Sequence, residues 1–240
     1  MTYMDANQMD YAEKWLNKIE RKGYNETNSQ KYRDALCDFC MTFGQPERAT
    51  HAFQLSLDEL PYPVPHWNGL AKCYLAQNEI ENAHEAIDFA LAIEENNAEA
   101  LEVKGFCYIQ NENYEEALRI YHQLLPTSKV PSRIYALMVK CYMDMEKANE
   151  AKAMCQEWLK KCPKLTSFEK SEIFSYISMC CFNLNHPEEG MKYIDAALDL
   201  EPSFRGAILQ KGMLYLQMNQ KQEAVKLFKK VLDISPDDEQ

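Results

Sequence analysis

The chain is 240 residues long and carries 37 acidic against 26 basic residues, a formal net charge of −11. That balance excludes nucleic acid and anionic membrane surfaces as partners drawn in by long-range charge. No run of 18 consecutive apolar residues occurs, so no membrane-spanning helix is predicted, and the opening Met1 to Asp5 has neither the basic run nor the apolar stretch of a secretory signal.

Residues 1–29 predict one helix, because Tyr11, Trp15 and Ile19, with Leu16 beside them, form an apolar stripe at helical spacing. The segment reads as an N-terminal capping helix or a partial repeat. From residue 30 onward the chain reads as six helix–turn–helix copies: 30–63, 64–97, 98–131, 132–165, 171–204 and 205–238. Within a copy, helix A is expected near positions 2–14 and helix B near 18–30. The first copy has Ala49, Phe53 and Pro61 in place, with Cys37 and Cys40 where a small and a large residue usually stand. Around 164–168, five residues separate the fourth copy from the fifth, and they are expected to lengthen the turn or the end of helix B. No alternating β pattern occurs, so the fold class is all-α.

The second and third copies carry the sharpest pattern. Trp67, Leu70, Ala71 and Tyr74 precede Ala83, Ile87 and Ala90, and 34 residues later Gly105, Tyr108, Ala117, Tyr121 and Leu124 repeat much of it. The spacing W-x2-L-[GA]-x2-Y followed by A-x3-[FYI] resembles the tetratricopeptide repeat family, over most of residues 30–236. The resemblance implies a right-handed superhelical solenoid of antiparallel helix pairs, whose A helices line a concave groove that takes up peptides or helices. It names an architecture and not an activity. One subclass clamps chaperone C-terminal carboxylates with Lys, Asn and basic residues at set positions. Here the corresponding residues are Asn68, Lys72, Val103, Arg133 and Leu137, with Asn and Lys exchanged and two aliphatic residues, so that clamp is not expected.

No residues are arranged for catalysis. The chain has no G-x-S-x-G, P-loop, H-E-x-x-H or dinucleotide fingerprint, and its five histidines are scattered over different copies. Cys37 and Cys40 make C-x2-C, but no second ligand pair follows at zinc spacing. Cys73, Cys107 and Cys141 recur at the same position of three successive copies, which marks packing thiols and a reducing compartment. No enzyme activity, metal or cofactor is therefore expected, and the location expected is the cytoplasm.

Positions 2, 5, 9, 12 and 13 of each A helix should face the groove. Position 12 is apolar in every copy: Met41, Leu75, Ile109, Met143, Phe182 and Leu216. Position 9 adds Phe106, Met179 and Met213. Asn68, Lys72, Glu99, Glu102, Arg133 and Lys140 complete the expected partner-binding set, with further acidic flanks from Asp34, Asp38, Asp144 and Glu172. Such a surface suits a protein or peptide with apolar anchors and basic residues. The expected function is a non-catalytic scaffold or adaptor; the alternative is a self-associating structural subunit. The last helix B keeps the repeat pattern, and its outer side, with Lys221, Gln222, Lys226, Lys229 and Lys230, is expected to cap the array, to meet another chain, or to continue into a longer array of which this chain is a fragment.

Overall fold

The structure, a computed structural model, describes residues 45–59 and 64–234. The expected capping helix of 1–29, Met41 and the Cys37–Cys40 pair lie outside the described residues, as do Asp34 and Asp38. The helices are α1 (Pro46–Glu59), α2 (Val64–Ala76), α3 (Ile80–Ile93), α4 (Ala98–Gln110), α5 (Tyr114–Leu124), α6 (Pro131–Asp144), α7 (Ala148–Lys161), α8 (Ser167–Asn183), α9 (Pro187–Leu200), α10 (Arg205–Gln217) and α11 (Lys221–Ile234). Among the described residues there is no strand. The chain divides into two compact units, residues 1–111 and 112–240. In the first, α1 packs on α2, α2 on α3 and α3 on α4, and the A helices α2 and α4 also touch. In the second, each helix packs on the next from α5 through α11, and the A helices α6, α8 and α10 meet in sequence.

Local sequence explains where these helices start and stop. Pro131 and Pro187 occupy the first turns of α6 and α9, where a missing N–H costs nothing. Asn97 caps α4 by accepting from the Ala100 N–H at 2.9 Å. Each A–B turn passes through one residue in the left-handed region: Asn78, Glu112, Glu146, Asn185 and Asn219, with φ of 57–63°. After Asn78, Glu146, Asn185 and Asn219 the following N–H reaches back to the carbonyl five residues earlier, as in Lys147 to Tyr142 at 2.8 Å and Gln220 to Tyr215 at 2.7 Å. This closes the end of helix A. Asparagine tolerates that conformation; glutamate at 112 and 146 holds it at a cost.

The extra residues before the fifth copy, expected to lengthen the turn or the end of helix B, mostly extend the front of the next helix A instead. Helix α7 ends at Lys161, whereas α8 starts early and runs for 17 residues. A capping box decides this. Thr166 accepts from the Glu169 N–H at 3.2 Å, and Glu169 accepts from the Thr166 N–H at 2.8 Å. The insertion adds one turn to the front of an A helix.

Packing follows the small–small rule at the crossing of A and B. Ala71 and Ala83 are both fully buried. A Cβ built on Gly190 of α9 would stand 3.1 Å from the Ser178 carbonyl of α8. A Cβ on Gly212 would stand 2.5 Å from the Phe228 ring, and one on Gly69 would stand 2.2 Å from the ring of Phe53. Gly212 is thus a packing residue, as its place in the repeat predicts, and Gly69 seats the α1 aromatic on the backbone of α2. Gly69 was not foreseen.

One contact recurs in both units. Asp88 on α3 pairs with Lys104 on α4 at 2.7 Å, and Asp195 on α9 pairs with Lys211 on α10 at 2.5 Å. Both join position 25 of one copy to position 7 of the next.

Candidate functional site

The inner surfaces of the A helices differ between the units. In the second unit, α8 and α10 enclose a cavity of about 480 Å³. Six residues of α8 line it: Tyr176, and Glu172, Ser175, Met179, Phe182 and Asn183, which are its positions 2, 5, 9, 12 and 13. Helix α10 contributes Gly206, Leu209, Gln210, Met213 and Leu214, and Phe204 stands before it. Gly206 leaves room here that any larger residue would fill. Met213 is 62% exposed and Met179 38% exposed, whereas Phe182 and Phe204 are half-buried against the core of Ile194, Ala197, Ala207 and Leu214. The two thioethers are flexible and polarisable, which suits a surface that adapts to large apolar side chains.

The polar groups of the cavity are fixed in place. The Ser175 hydroxyl donates to Gln210 Oε1 at 2.5 Å, and Gln210 Nε2 donates to the Ser175 carbonyl at 3.0 Å. Both residues are buried, so this reciprocal pair ties α8 to α10 beneath the opening. Burial pushes the Glu172 carboxyl above its ordinary range, against the opposing hydrogen bond from Tyr176, and Glu169 adds to the rise. Burial also pushes the Tyr176 phenol up to about 12, with Glu172 contributing. The cavity therefore holds an under-stabilised carboxyl, and a cation beside it would favour the charged form.

The first unit has an inner surface that is satisfied by its own residues. Asn68 is only 1% exposed, and its Nδ2 donates to Asn97 Oδ1 at 3.1 Å and to Glu99 Oε2 at 3.2 Å. Lys72 pairs with the other Glu99 oxygen. Partial burial alone would raise the Glu99 carboxyl, but Lys72 and Asn68 outweigh it and hold the group below its ordinary range. The charge is already neutralised.

The remaining expected residues divide by burial. Asn68 and Ile109 are buried and offer no surface to a partner, which corrects their place in the expected set. Ile109 is turned into the packing of its own unit, although its place in the repeat matches that of exposed residues elsewhere. Leu75 is half-buried against the core around Ala71 and Ile87. Met143 packs against Ala148 and Ala151, with its sulfur 3.4 Å from that of Cys180. Phe106 and Glu102 are half-buried, while Arg133, Lys140 and Leu216 are exposed without lining the cavity. Ser175, Tyr176, Leu209 and Gln210 were not singled out from the sequence. Position 5 was a usable signal for Ser175 and Leu209, but nothing marked the hydrogen-bonded pair.

The described cysteines are free thiols. Burial pushes Cys107 and Cys180 up to about 11 and Cys141 up to about 12, and raises Cys155 still further. Such thiols are protonated packing groups and not nucleophiles. Among the described residues no group of three or more His, Cys, Asp or Glu side chains could hold a metal ion, and no helix is long and apolar enough to cross a membrane.

With paired helices stacked at a 34-residue period on the page, the comparisons decide the family. Family models for the tetratricopeptide repeat match residues 68–129 and 206–238. Those two stretches of the chain are tetratricopeptide repeats. Over 113 residues, 46% of its length, the chain is 31% identical to a DnaJ homolog subfamily C member 3 homolog of Dictyostelium discoideum. That stretch spans only 20% of the curated relative's length. Among solved structures, a tetratricopeptide repeat protein from Parabacteroides merdae superposes with a TM-score of 0.75 at 18% identity, covering 95% of this chain and 87% of that one. PilW, a type IV pilus biogenesis factor, gives 0.72 at 17% identity, covering 90% and 97%. At these identities the likeness establishes a shared fold.

Proposed function

We propose that this chain is a non-catalytic interaction scaffold that holds a peptide or helix on the inner surface of α8 and α10. The observation that carries this reading is the cavity lined by Met179, Phe182 and Met213, open and apolar, with the under-stabilised Glu172 at one side. Its volume is in the range of sites that bury one or two large side chains. The partner that fits presents an aromatic or long aliphatic anchor with a lysine or arginine beside it. The anchor supplies the affinity, and the cation meets Glu172 and sets register and salt dependence. The free thiols and the acidic surface fit a cytoplasmic scaffold that binds protein and not nucleic acid or membrane.

A displayed library of random peptides, panned on the wild-type chain and on Met213→Asp, tests the reading. Enriched sequences should pair a large apolar residue with a basic one, and the substitution should remove the enrichment. Enrichment of acidic peptides, or enrichment indifferent to Met213→Asp, would refute it. The rival, a self-associating subunit, is separated by mass measurement across concentration. A monomer at every concentration removes the rival, whereas a dimer that masks Met179 and Met213 replaces the peptide.

A further inference from the structure

The surface of α11 is distinct from the cavity, and the repeat itself shows what covers such a surface. Positions 21, 25 and 28 lie on one face of a B helix, at i, i+4 and i+7. On α3 this face is His84, Asp88 and Leu91: the His84 ring meets Tyr108 of α4 edge-on at 5.3 Å, Asp88 pairs with Lys104 of α4, and Leu91 is half-buried in the core. On α9 it is Met191, Asp195 and Leu198. The two apolar residues pack on the core that includes Ala207 and Leu214 of α10, and Asp195 pairs with Lys211 of that helix. On α11 it is Val225, Lys229 and Leu232, and Val225 and Leu232 are 49% and 46% exposed. Two apolar side chains at the register that elsewhere receives an A helix stand open around a residue of reversed charge.

We infer that the Val225–Lys229–Leu232 face receives a helix in the manner of an A helix, and that this helix carries a carboxylate where Lys104 and Lys211 stand in the array. The geometry of the two internal interfaces sets the crossing, and charge complementarity sets the partner. In those interfaces an aspartate at position 25 selects a lysine at position 7, so Lys229 selects an aspartate or glutamate. The same exchange disfavours a helix of this chain's own α4 or α10 type, because each presents a lysine at that point. The occupant is an amphipathic, acidic helix, not a further copy of α4 or α10.

The test extends the full chain by one more copy of residues 205–238, placed after Asp238 so that the 34-residue register continues. In the appended copy, the residue equivalent to Lys211 is either kept as lysine or made glutamate. Both versions are made with Lys229 and with Lys229→Glu. Hydrogen exchange of the appended helix A reads docking directly, and the amides of α8 serve as an internal reference for a folded array. The two opposite-charge combinations should protect the appended helix about threefold or more over the two like-charge ones, the size of a favourable exposed pair set against a repulsive one. Equal protection in all four, or protection that follows the appended residue alone whatever stands at 229, would overturn the assignment of a carboxylate. Loss of protection in all four while α8 stays protected would overturn the docking face itself. None of these outcomes depends on whether peptides bind between α8 and α10.

Discussion

The pair α2–α4 and the pair α8–α10 are the same two helices of the repeat used in opposite ways. In the first unit, groove positions carry Asn68, Lys72 and Glu99, where the Asn68 amide N–H and the Lys72 ammonium both meet the Glu99 carboxylate. In the second, the equivalent positions carry Ser175, Met179 and Gly206, and the same geometry opens into an apolar cavity. Glycine at 206 in place of the glutamate at 99 removes both the bulk and the charge that would close it. The difference teaches that a repeat fixes a scaffold while a few inward positions decide which part of it is vacant. Where the carboxylate has a lysine, it is lowered; where burial outweighs the hydrogen bond from a phenol, it is raised.

The largest effect expected is on the support beneath the open cavity. Gln210→Ala leaves the Ser175 hydroxyl and carbonyl buried without their partner, which should cost about 2–3 kcal/mol of stability. Urea unfolding reads it, and a loss below about 0.5 kcal/mol would mean that the pair does not tie α8 to α10. Gly212→Leu, which drives a side chain into the Phe228 ring, should cost roughly 1–3 kcal/mol by the same assay.

Next comes the contrast between the two inner surfaces. Met213→Asp should weaken a peptide selected on this chain by about tenfold or more, because it places a charge where the anchor sits. Lys72→Ala, at the equivalent position 9 of the closed pair, should leave that affinity unchanged. Calorimetric titration of both variants with the same peptide checks the contrast, and equal losses would erase it.

The two carboxyls should also separate in their response to acid. Glu99 has a folded value below its unfolded one, so its stabilisation is present above the unfolded value and fades as pH falls through the folded value. Glu172 has a folded value above its unfolded one, so its region gains stability as pH falls through that folded value. Exchange measured from about pH 7 to about pH 4, corrected for intrinsic rates, should loosen α4 relative to α8. Each effect is well under about 1 kcal/mol, since Glu99 is half-exposed and solvent screens its pair. Glu99→Gln and Glu172→Gln should each abolish their own trend and leave the other.

How much of this was legible in the sequence depends on the length scale. The 34-residue period, the all-α class and the A–B pairing could be read from Trp67, Ala71, Ala83 and their later equivalents, because small and large residues at fixed spacing are what stacked helices require. The insertion before α8 was misplaced because the capping box of Thr166 and Glu169 lay unread inside it. Ile109 looked like its neighbours at position 12 and is buried, since the sequence does not say how closely adjacent helices approach. The Asp88–Lys104 and Asp195–Lys211 pairs join residues 16 apart in the chain. Only the crossing of B on the next A makes that spacing meaningful.

The smallest effect discriminates best between two explanations of the Met213→Asp result. Glu146 holds φ of 57° in the turn between α6 and α7, at the position where asparagine stands in three other turns. Glu146→Gly should stabilise the second unit by about 0.5–1 kcal/mol, because glycine takes that conformation without strain. The substitution lies outside the cavity lining, so it changes stability without changing the surface. Suppose Met213→Asp weakens binding only by loosening α10. Then adding Glu146→Gly should recover part of the affinity along with the lost stability. If Met213 is instead an anchor contact, the double variant should melt higher than Met213→Asp and bind no better. Thermal unfolding and titration on the same four proteins separate the cases, and the anchor role stands only if stability and affinity part company.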